Sequence, residues 1–147
     1  MNEPNVLIVD DERDYIETLT KRLKRRGLEI IGIENGEDAL QWLPGKKVDV
    51  VLLDVRMRGM DGIDVLREIK KEYPLIEVIM LTGHASTEVA IEGMELGAFD
   101  YLMKPVDFDE LVYKIQDAHK KKSIQEEKIR GIKQMTAGRQ DNLSQRK

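Results

Sequence analysis

The stretch VDVVLLDVRMRGMDG, residues 48–62, joins an apolar run to an acid and then to a turn. Apart from Asp49, residues 48–53 are valine and leucine, which is typical of a strand buried on both faces. Asp54 ends this run, and Asp61-Gly62 closes a turn-like segment. A carboxylate at the end of an apolar strand costs free energy unless other groups stabilise it. The stretch therefore predicts a central strand with a functional acid at its carboxyl end.

Short apolar runs of the same kind lie on both sides of this stretch, at 6–9, 30–33, 77–81 and 101–103. A segment with apolar residues at helical spacing follows each strand candidate. These helical patterns rest on Ile16, Leu19, Leu23 and Leu28; on Ala39, Leu40 and Leu43; on Ile63, Leu66 and Ile69; on Val89, Ala90, Met94 and Leu96; and on Leu111, Val112, Ile115 and Ala118. Five strand–helix pairs in strict alternation predict an α/β fold, a doubly wound five-stranded parallel sheet flanked by five helices.

Side chains that can cap a helix precede four of the helical patterns. Asn35, Asp61, Ser86 and Asp107 each offer an oxygen that can accept a hydrogen bond from a backbone N–H of the first turn. Asp107 with Glu110 resembles a capping box, with aspartate in place of the usual serine or threonine. We expect helices to begin directly after these residues.

Composition limits the class of protein. With 147 residues the chain has room for one domain with a proper core. Its net charge of -4 gives no general attraction to nucleic acid or to an anionic membrane. The sequence contains no cysteine, which fits a reducing compartment, and its apolar runs are too short for a signal core or a membrane span. We therefore predict a cytoplasmic protein without membrane or direct nucleic-acid contacts.

Three acids follow two of the predicted strands. Asp10 and Asp11 come after the first strand and Asp54 ends the third. If these strands are neighbours, the three carboxylates meet in one crevice, where each pair about 4 Å apart repels by roughly 4 kcal/mol at an effective dielectric near 20. Protonation of one acid or a bound cation relieves this repulsion. Hard oxygen ligands, too few to form a closed cage, favour Mg²⁺, with Mn²⁺ as a possible substitute.

Simpler roles are open for each of these residues. Asp11 could cap the helix that begins near Glu12, and Asp10 could face solvent. Two further polar residues end strands at the same edge of the sheet, Thr82 after the fourth and Lys104 after the fifth. A hydroxyl and an ammonium beside a metal pocket would suit a phosphoryl group. Taken singly, each could equally be an ordinary strand-end residue.

Four motifs in this order resemble the receiver domain of two-component response regulators. They are LIVDDE at 7–12, VVLLDVRMRGMDG at 50–62, VIMLTGHAS at 78–86 and GAFDYLMKPVD at 97–107. The resemblance implies a flavodoxin-like sheet with strand order 2-1-3-4-5 and a cis peptide bond between Lys104 and Pro105. It also implies that a sensor histidine kinase or a phosphotransfer protein donates a phosphoryl group to Asp54. A receiver of this kind promotes its own phosphorylation and at most a slow self-dephosphorylation, and it is otherwise not an enzyme.

The resemblance implies a role for each remaining site residue. Asp11 and Asp54 would bind magnesium directly, Asp10 mainly through water, and Arg56 through its backbone carbonyl. The switch residues of the family, which report phosphorylation to partners, correspond to the following positions: Thr82, Lys104 and Tyr101. Phosphorylation would remodel the face made by the fourth helix, fifth strand and fifth helix, which would then bind a protein target or a second copy of the chain.

The end of the chain differs in character from the rest. Lys120-Lys121-Lys122 interrupts the apolar stripe of the fifth helix, and from Thr136 onward the composition is typical of disorder. We predict a receiver domain over 1–122 and a basic C-terminal extension over 123–147, partly helical or disordered. The extension could be a partner-binding helix or a solvated tail.

Three classes of function stay open for the output. The first, which we favour, is a stand-alone receiver that signals through protein contacts. The second is the N-terminal regulatory fragment of a longer DNA-binding transcription regulator, with 123–147 as the start of a linker. The third is an enzyme of the same topology, such as a phosphatase that passes through an aspartyl phosphate. That enzyme needs a further acid near Asp54, and Asp61, the nearest acid after it in the sequence, is better explained as a helix cap.

Overall fold

A computed structural model describes residues 3–83 and 87–145. Five parallel strands form one sheet in the order β2-β1-β3-β4-β5, so the predicted fold class and strand order are confirmed. The strands are β1 (Asn5–Val9), β2 (Glu29–Ile33), β3 (Val50–Asp54), β4 (Glu77–Thr82) and β5 (Asp100–Met103). The helices are α1 (Arg13–Arg25), α2 (Gly36–Trp42), α3 (Gly62–Glu72), α4 (Thr87–Glu95) and α5 (Phe108–Gln145).

The central strand β3 is buried over its whole length, as its valines and leucines predict. Val50 and Leu52 pack into a core layer that includes residues of α1 and α5. Val51 and Leu53 pack into the other layer, which includes residues of α2 and α3. Because successive side chains of a strand point to opposite faces, an unbroken apolar run is what a sheet covered on both faces requires.

Side-chain caps begin three of the helices as predicted. Asn35, Asp61 and Asp107 each accept a hydrogen bond from a backbone N–H two or three residues further along the chain. The predicted cap Ser86 lies outside the described residues. Helix α1 differs, because it begins after Glu12 without a side-chain cap. The interpretation of Asp11 as a cap is therefore wrong, which leaves its carboxylate available for other contacts.

Helix α5 is longer than the sequence indicates. It continues to Gln145, past Thr136, where the composition favours disorder. Lys122 does not break the buried stripe, because its ammonium donates to Asp49 Oδ1 at 2.9 Å and to Glu126 Oε1 at 3.0 Å. From Glu127 to Gly138 almost every residue of the helix is exposed. Over the described part of the chain, neither α5 nor another helix is long and apolar enough to cross a membrane.

Candidate functional site

The carboxyl ends of β1 and β3 bring four carboxylates together. These two strands are paired, so Asp10, directly after β1, lies beside Asp54, the last residue of β3. One carboxylate oxygen from each of Asp10, Asp11, Glu12 and Asp54 lies within 4.8 Å of the others. Asp10 and Asp54 are buried, whereas Glu12 is exposed. The predicted proximity of the three aspartates is thus found, and Glu12, which sequence reasoning missed, joins them.

Backbone N–H groups orient three of these carboxylates. Asp10 Oδ1 accepts from the N–H of Glu12 at 2.9 Å, and Asp54 Oδ1 accepts from the N–H of Arg56 at 3.1 Å. Asp11 Oδ2 accepts from the N–H of Arg58 at 3.2 Å, which ties the loop after β1 to the loop after β3. Each of these aspartates therefore points its carboxylate toward the crevice between the two loops, not into bulk solvent.

Lys104, which follows β5, carries the positive charge at this site. Its Nζ donates to Asp10 Oδ2 at 2.6 Å and lies 3.7 Å from Asp54 Oδ2 and 3.9 Å from Glu12 Oε1. Burial of the ammonium lowers the pKa of Lys104, but the bond to Asp10 and the other carboxylates outweigh it and hold that pKa above its ordinary value. The ammonium of Lys104 lies close to three of the four carboxylates, so the cluster keeps an excess of negative charge over this lysine.

The pKa of the Asp54 carboxyl group is raised above its ordinary value. Burial raises its pKa to about 6, Lys104 opposes that rise, and the charge of Asp10 adds to it. The N–H of Arg56 lowers the pKa, and the charge of Asp11 raises it. A buried acid among like charges is the setting that a divalent cation relieves, and four carboxylates are a donor set that fits Mg²⁺.

Thr82 lies on β4, the strand next to Asp54, and Tyr101 lies on β5, one strand further along the sheet. Thr82 is the buried last residue of β4 and lines a cavity of about 290 Å³ together with Val55 and Arg56. Tyr101 lies on β5, paired with Met80 of β4, and is half-buried against the core layer of α2 and α3. The peptide bond between Lys104 and Pro105 is cis, as the resemblance implies. Thr82 and Tyr101, two of the three predicted switch residues, therefore lie on the two strands that follow β3 in the sheet, and Lys104 comes directly after β5.

Two further residues shape the site without an obvious sequence signal. Gly62 begins α3 where the helix touches β3: a Cβ there would lie 2.5 Å from the backbone oxygen of Asp54 and 2.6 Å from Val55 Cα. Tyr15 places its ring 4.2 Å from Lys104 Nζ. Tyr15 stands one helical turn after Asp11, which is the only hint that the sequence contains. Asp61, the acid that an aspartyl-phosphate enzyme would need, caps α3.

Comparison with known proteins defines the class of this chain. The family model described as the response regulator receiver domain matches residues 6–116. That range is more than half of the 147 residues, so the chain belongs to the response regulator receiver family. Members of this family act in two-component systems and are generally phosphoacceptors, not catalytic enzymes.

Individual relatives agree with this class. The chain is 41% identical over 113 residues to the DNA-binding transcriptional regulator NtrC of Escherichia coli strain K12, a match that covers 77% of this chain and 24% of that protein. The chain thus spans about a quarter of the length of the curated relatives that it matches first. Among solved structures, a receiver domain protein from Clostridium thermocellum has a TM-score of 0.79 at 35% identity, covering 83% of this chain and 98% of that one. A CheY-like receiver from Methanospirillum hungatei has a TM-score of 0.80 at 27% identity, with coverage of 84% and 98%.

Proposed function

We propose that Asp54 accepts a phosphoryl group from a sensor histidine kinase or a phosphotransfer protein in a magnesium-dependent reaction in the cytoplasm. The observation that carries this proposal is the cluster of four carboxylates that includes Asp54, with the ammonium of Lys104 in contact with it. An oxygen of Asp54 attacks phosphorus, and the bond from phosphorus to the donor breaks as the acyl phosphate forms. The chain promotes this transfer to itself and at most slowly reverses it by hydrolysis.

The residues that would hold magnesium are those that the family resemblance implies, and three of them belong to this cluster. Asp11 and Asp54 would bind the ion directly, Asp10 would act mainly through water, and the backbone carbonyl of Arg56 would complete the protein ligands. When bound, Mg²⁺ neutralises carboxylate charge and orients phosphate oxygens, a role that Mn²⁺ can also fill. Glu12 is exposed and stands at the rim, where its charge adds to the attraction for a cation.

Lys104 and Thr82 contact the phosphoryl group once it is bound to Asp54. Asp54 Oδ1 already accepts from the N–H of Arg56, so Oδ2, which lies 3.7 Å from Lys104 Nζ, is the oxygen that we expect to attack. Lys104 then pairs with a phosphate oxygen in addition to or in place of Asp10, because a doubly charged phosphoryl group attracts the ammonium more strongly. The hydroxyl of Thr82 donates to another phosphate oxygen.

Signalling depends on a conformational change at one surface of the protein. Thr82 moves toward the phosphoryl group, and Tyr101 turns inward to fill the space. The face built by α4, β5 and α5, which we call the output face, carries exposed apolar side chains that a protein partner can cover: Ile91, Met94, Met103 and Tyr113. Phosphorylation shifts a pre-existing equilibrium of this face toward the form that binds a protein target or a second copy of the chain.

Intact mass tests the phosphoacceptor. The protein is incubated with magnesium and a small acyl-phosphate donor, and we expect wild type to gain the mass of one phosphoryl group. Asp54→Asn should gain none, and excess chelator should abolish the gain in wild type. Asp61→Asn is the matched control, because Asp61 is a helix cap outside the carboxylate cluster and its variant should be phosphorylated normally. Equal labelling of wild type and Asp54→Asn would overturn the proposal.

A second candidate has one observation in its favour. The NtrC protein to which the chain is similar is named a DNA-binding transcriptional regulator and is about four times as long as the matched region. The chain could therefore be the regulatory part of such a regulator, in which the output face controls an attached DNA-binding region. Sequencing the native gene beyond the codon for Lys147 separates the two: an open frame supports the second candidate, and a stop codon removes it.

A further inference from the structure

The ring of Tyr15 covers the ammonium of Lys104. Tyr15 lies in the first turn of α1, half-buried against the core layer of α1 and α5. The Lys104 Nζ is 4.2 Å from the centre of this ring, well within the range of a cation–π contact. Burial raises the pKa of the Tyr15 phenol, so the residue presents a neutral aromatic face. The ammonium therefore touches the ring while it donates to Asp10 at 2.6 Å.

We propose that Tyr15 is a positioning residue that holds the Lys104 ammonium at the phosphoryl-accepting side of the site. This inference deepens the proposed function and rests on it, since it gives the lysine a restraint that is independent of the carboxylates. The hydrogen bond from Lys104 to Asp10 has to weaken when a phosphate oxygen competes for the ammonium. The ring contact does not compete with phosphate, because it uses the π face and no lone pair.

The surroundings of Lys104 show why such a restraint matters. The lysine side chain is 14% exposed, and its flexible stem gives the ammonium other rotamers to adopt. A cavity of about 190 Å³ lies beside the tyrosine, lined in part by Tyr15, Pro105 and Phe108. Without an aromatic face, the ammonium loses an attraction on that side and spends more time away from Asp54. An aliphatic residue of similar volume would fill the space but would not attract the charge.

The simpler reading is that Tyr15 only packs against the core. Nuclear magnetic resonance of the full chain separates the two readings. With lysine labelled and the Lys104 signals identified by their loss in Lys104→Arg, the protons beside the ammonium should be shifted upfield by the ring in wild type and in Tyr15→Phe. In Tyr15→Leu that shift should disappear. If these protons show no ring shift in wild type, or keep the same shift in Tyr15→Leu, the contact does not exist and the proposal fails.

Phosphorylation kinetics tests the consequence. With magnesium and a small acyl-phosphate donor, we expect Tyr15→Phe to react like wild type and Tyr15→Leu to react about fivefold more slowly, the size that a partly desolvated cation–π contact supports. Tyr73→Leu is the matched control, because Tyr73 packs into the other core layer. In a Lys104→Met background the Tyr15→Leu change should have no further effect on the rate.

The outcomes distinguish the positioning role of Tyr15 from the proposed phosphoacceptor function. An equal loss of rate from Tyr15→Leu with and without Lys104 would mean that the tyrosine acts through packing, which overturns the positioning role. A Tyr15→Leu protein as fast as wild type would also overturn it. If wild type itself takes up no phosphoryl group, the proposed function fails, whereas the ring shift still decides whether Tyr15 holds Lys104.

Discussion

At the scale of single residues, Asp54 combines burial with an excess of like charge. The acid is 6% exposed, and its pKa of about 6 lies above the ordinary value of 3.8. The folded protein therefore binds this proton more tightly than the unfolded chain does. The contribution of Asp54 to the free energy of unfolding is fully present below pH 3.8 and is lost as the pH rises through about 6.

This titration gives the first prediction. In chelator-treated buffer, Asp54→Asn should be more stable than wild type by about 2 kcal/mol near pH 7.5, and the difference should shrink toward zero near pH 4. The physical reason is that asparagine removes a buried negative charge that wild type carries only at the higher pH. Urea unfolding at both pH values measures it. A stability difference that does not change with pH would contradict the assigned shift.

Gly62 gives the second prediction at this scale. A methyl group there would meet the backbone of Asp54 and Val55 at 2.5–2.7 Å, and backbone atoms cannot move aside as a flexible side chain can. We expect Gly62→Ala to lower the free energy of unfolding by about 2 kcal/mol or more. Gly131→Ala, in α5 with open space around it, is the control and should raise helix stability by up to about 1 kcal/mol. Urea unfolding and helical circular dichroism measure the two effects, and the same sign for both would be inconsistent with this account.

At the scale of elements, the strands were predictable and the end of α5 was not. Each strand lies within a residue or two of its apolar run, because a strand buried on both faces is a continuous run of apolar residues. The clustering of Asp10, Asp11 and Asp54 followed from topology. The acceptor for Lys122 could not be foreseen, since Asp49 is 73 residues away and periodicity carries no information on such a pair. For the same reason the contact of Tyr15 with Lys104 was missed.

The Lys122–Asp49 pair joins α5 to the amino end of the sheet. Asp49 precedes β3 and accepts from the N–H of Asn5 at 2.8 Å as well as from Lys122. Burial would raise the pKa of Asp49, but these hydrogen bonds outweigh it and leave that pKa lowered. The Asp49 carboxylate therefore stabilises the fold above its ordinary titration range, and this contribution is lost as the pH falls through its lowered pKa.

The third prediction concerns this Lys122–Asp49 pair, which we call the Lys122–Asp49 anchor. Lys122→Ala leaves the buried Asp49 carboxylate without its ammonium, so we expect a loss of about 3 kcal/mol in the free energy of unfolding. Amide hydrogen exchange over residues 123–138 should also become faster, because the helix loses its contact with the sheet. Lys120→Ala, at an exposed position two residues earlier, should change stability by less than about 0.5 kcal/mol. Equal effects of the two substitutions would show that the pair does not anchor the helix.

At the scale of the whole molecule, the carboxylate cluster and the Lys122–Asp49 anchor lie at opposite ends of the sheet. Helix α5 begins at Phe108, near the lysine that faces Asp54, and passes the anchor at Lys122 before its exposed part. This helix is also part of the output face. The same helix therefore connects the end of the sheet that carries Lys104 and Asp54 with the exposed part of α5.

Metal binding at this scale is the fourth prediction. Magnesium at ten times its dissociation constant should raise the free energy of unfolding by about 1.4 kcal/mol, because the proposed site exists in the folded protein and not in the unfolded chain. Thermal unfolding with and without the ion measures the gain as a higher midpoint. Asp11→Asn and Asp54→Asn should lose most of the gain, while Asp61→Asn should keep it. A gain that survives in both cluster variants would place the metal elsewhere.

The identity of the modified residue is the most direct test of the account. Wild type is treated with magnesium and an acyl-phosphate donor and then reduced with borohydride, which converts an aspartyl phosphate to homoserine. Peptide sequencing by mass spectrometry locates the converted residue. We predict homoserine at position 54 alone, and only when both magnesium and the donor are present. Conversion at Asp10, Asp11 or another acid, or conversion that is independent of magnesium, would contradict the central claim.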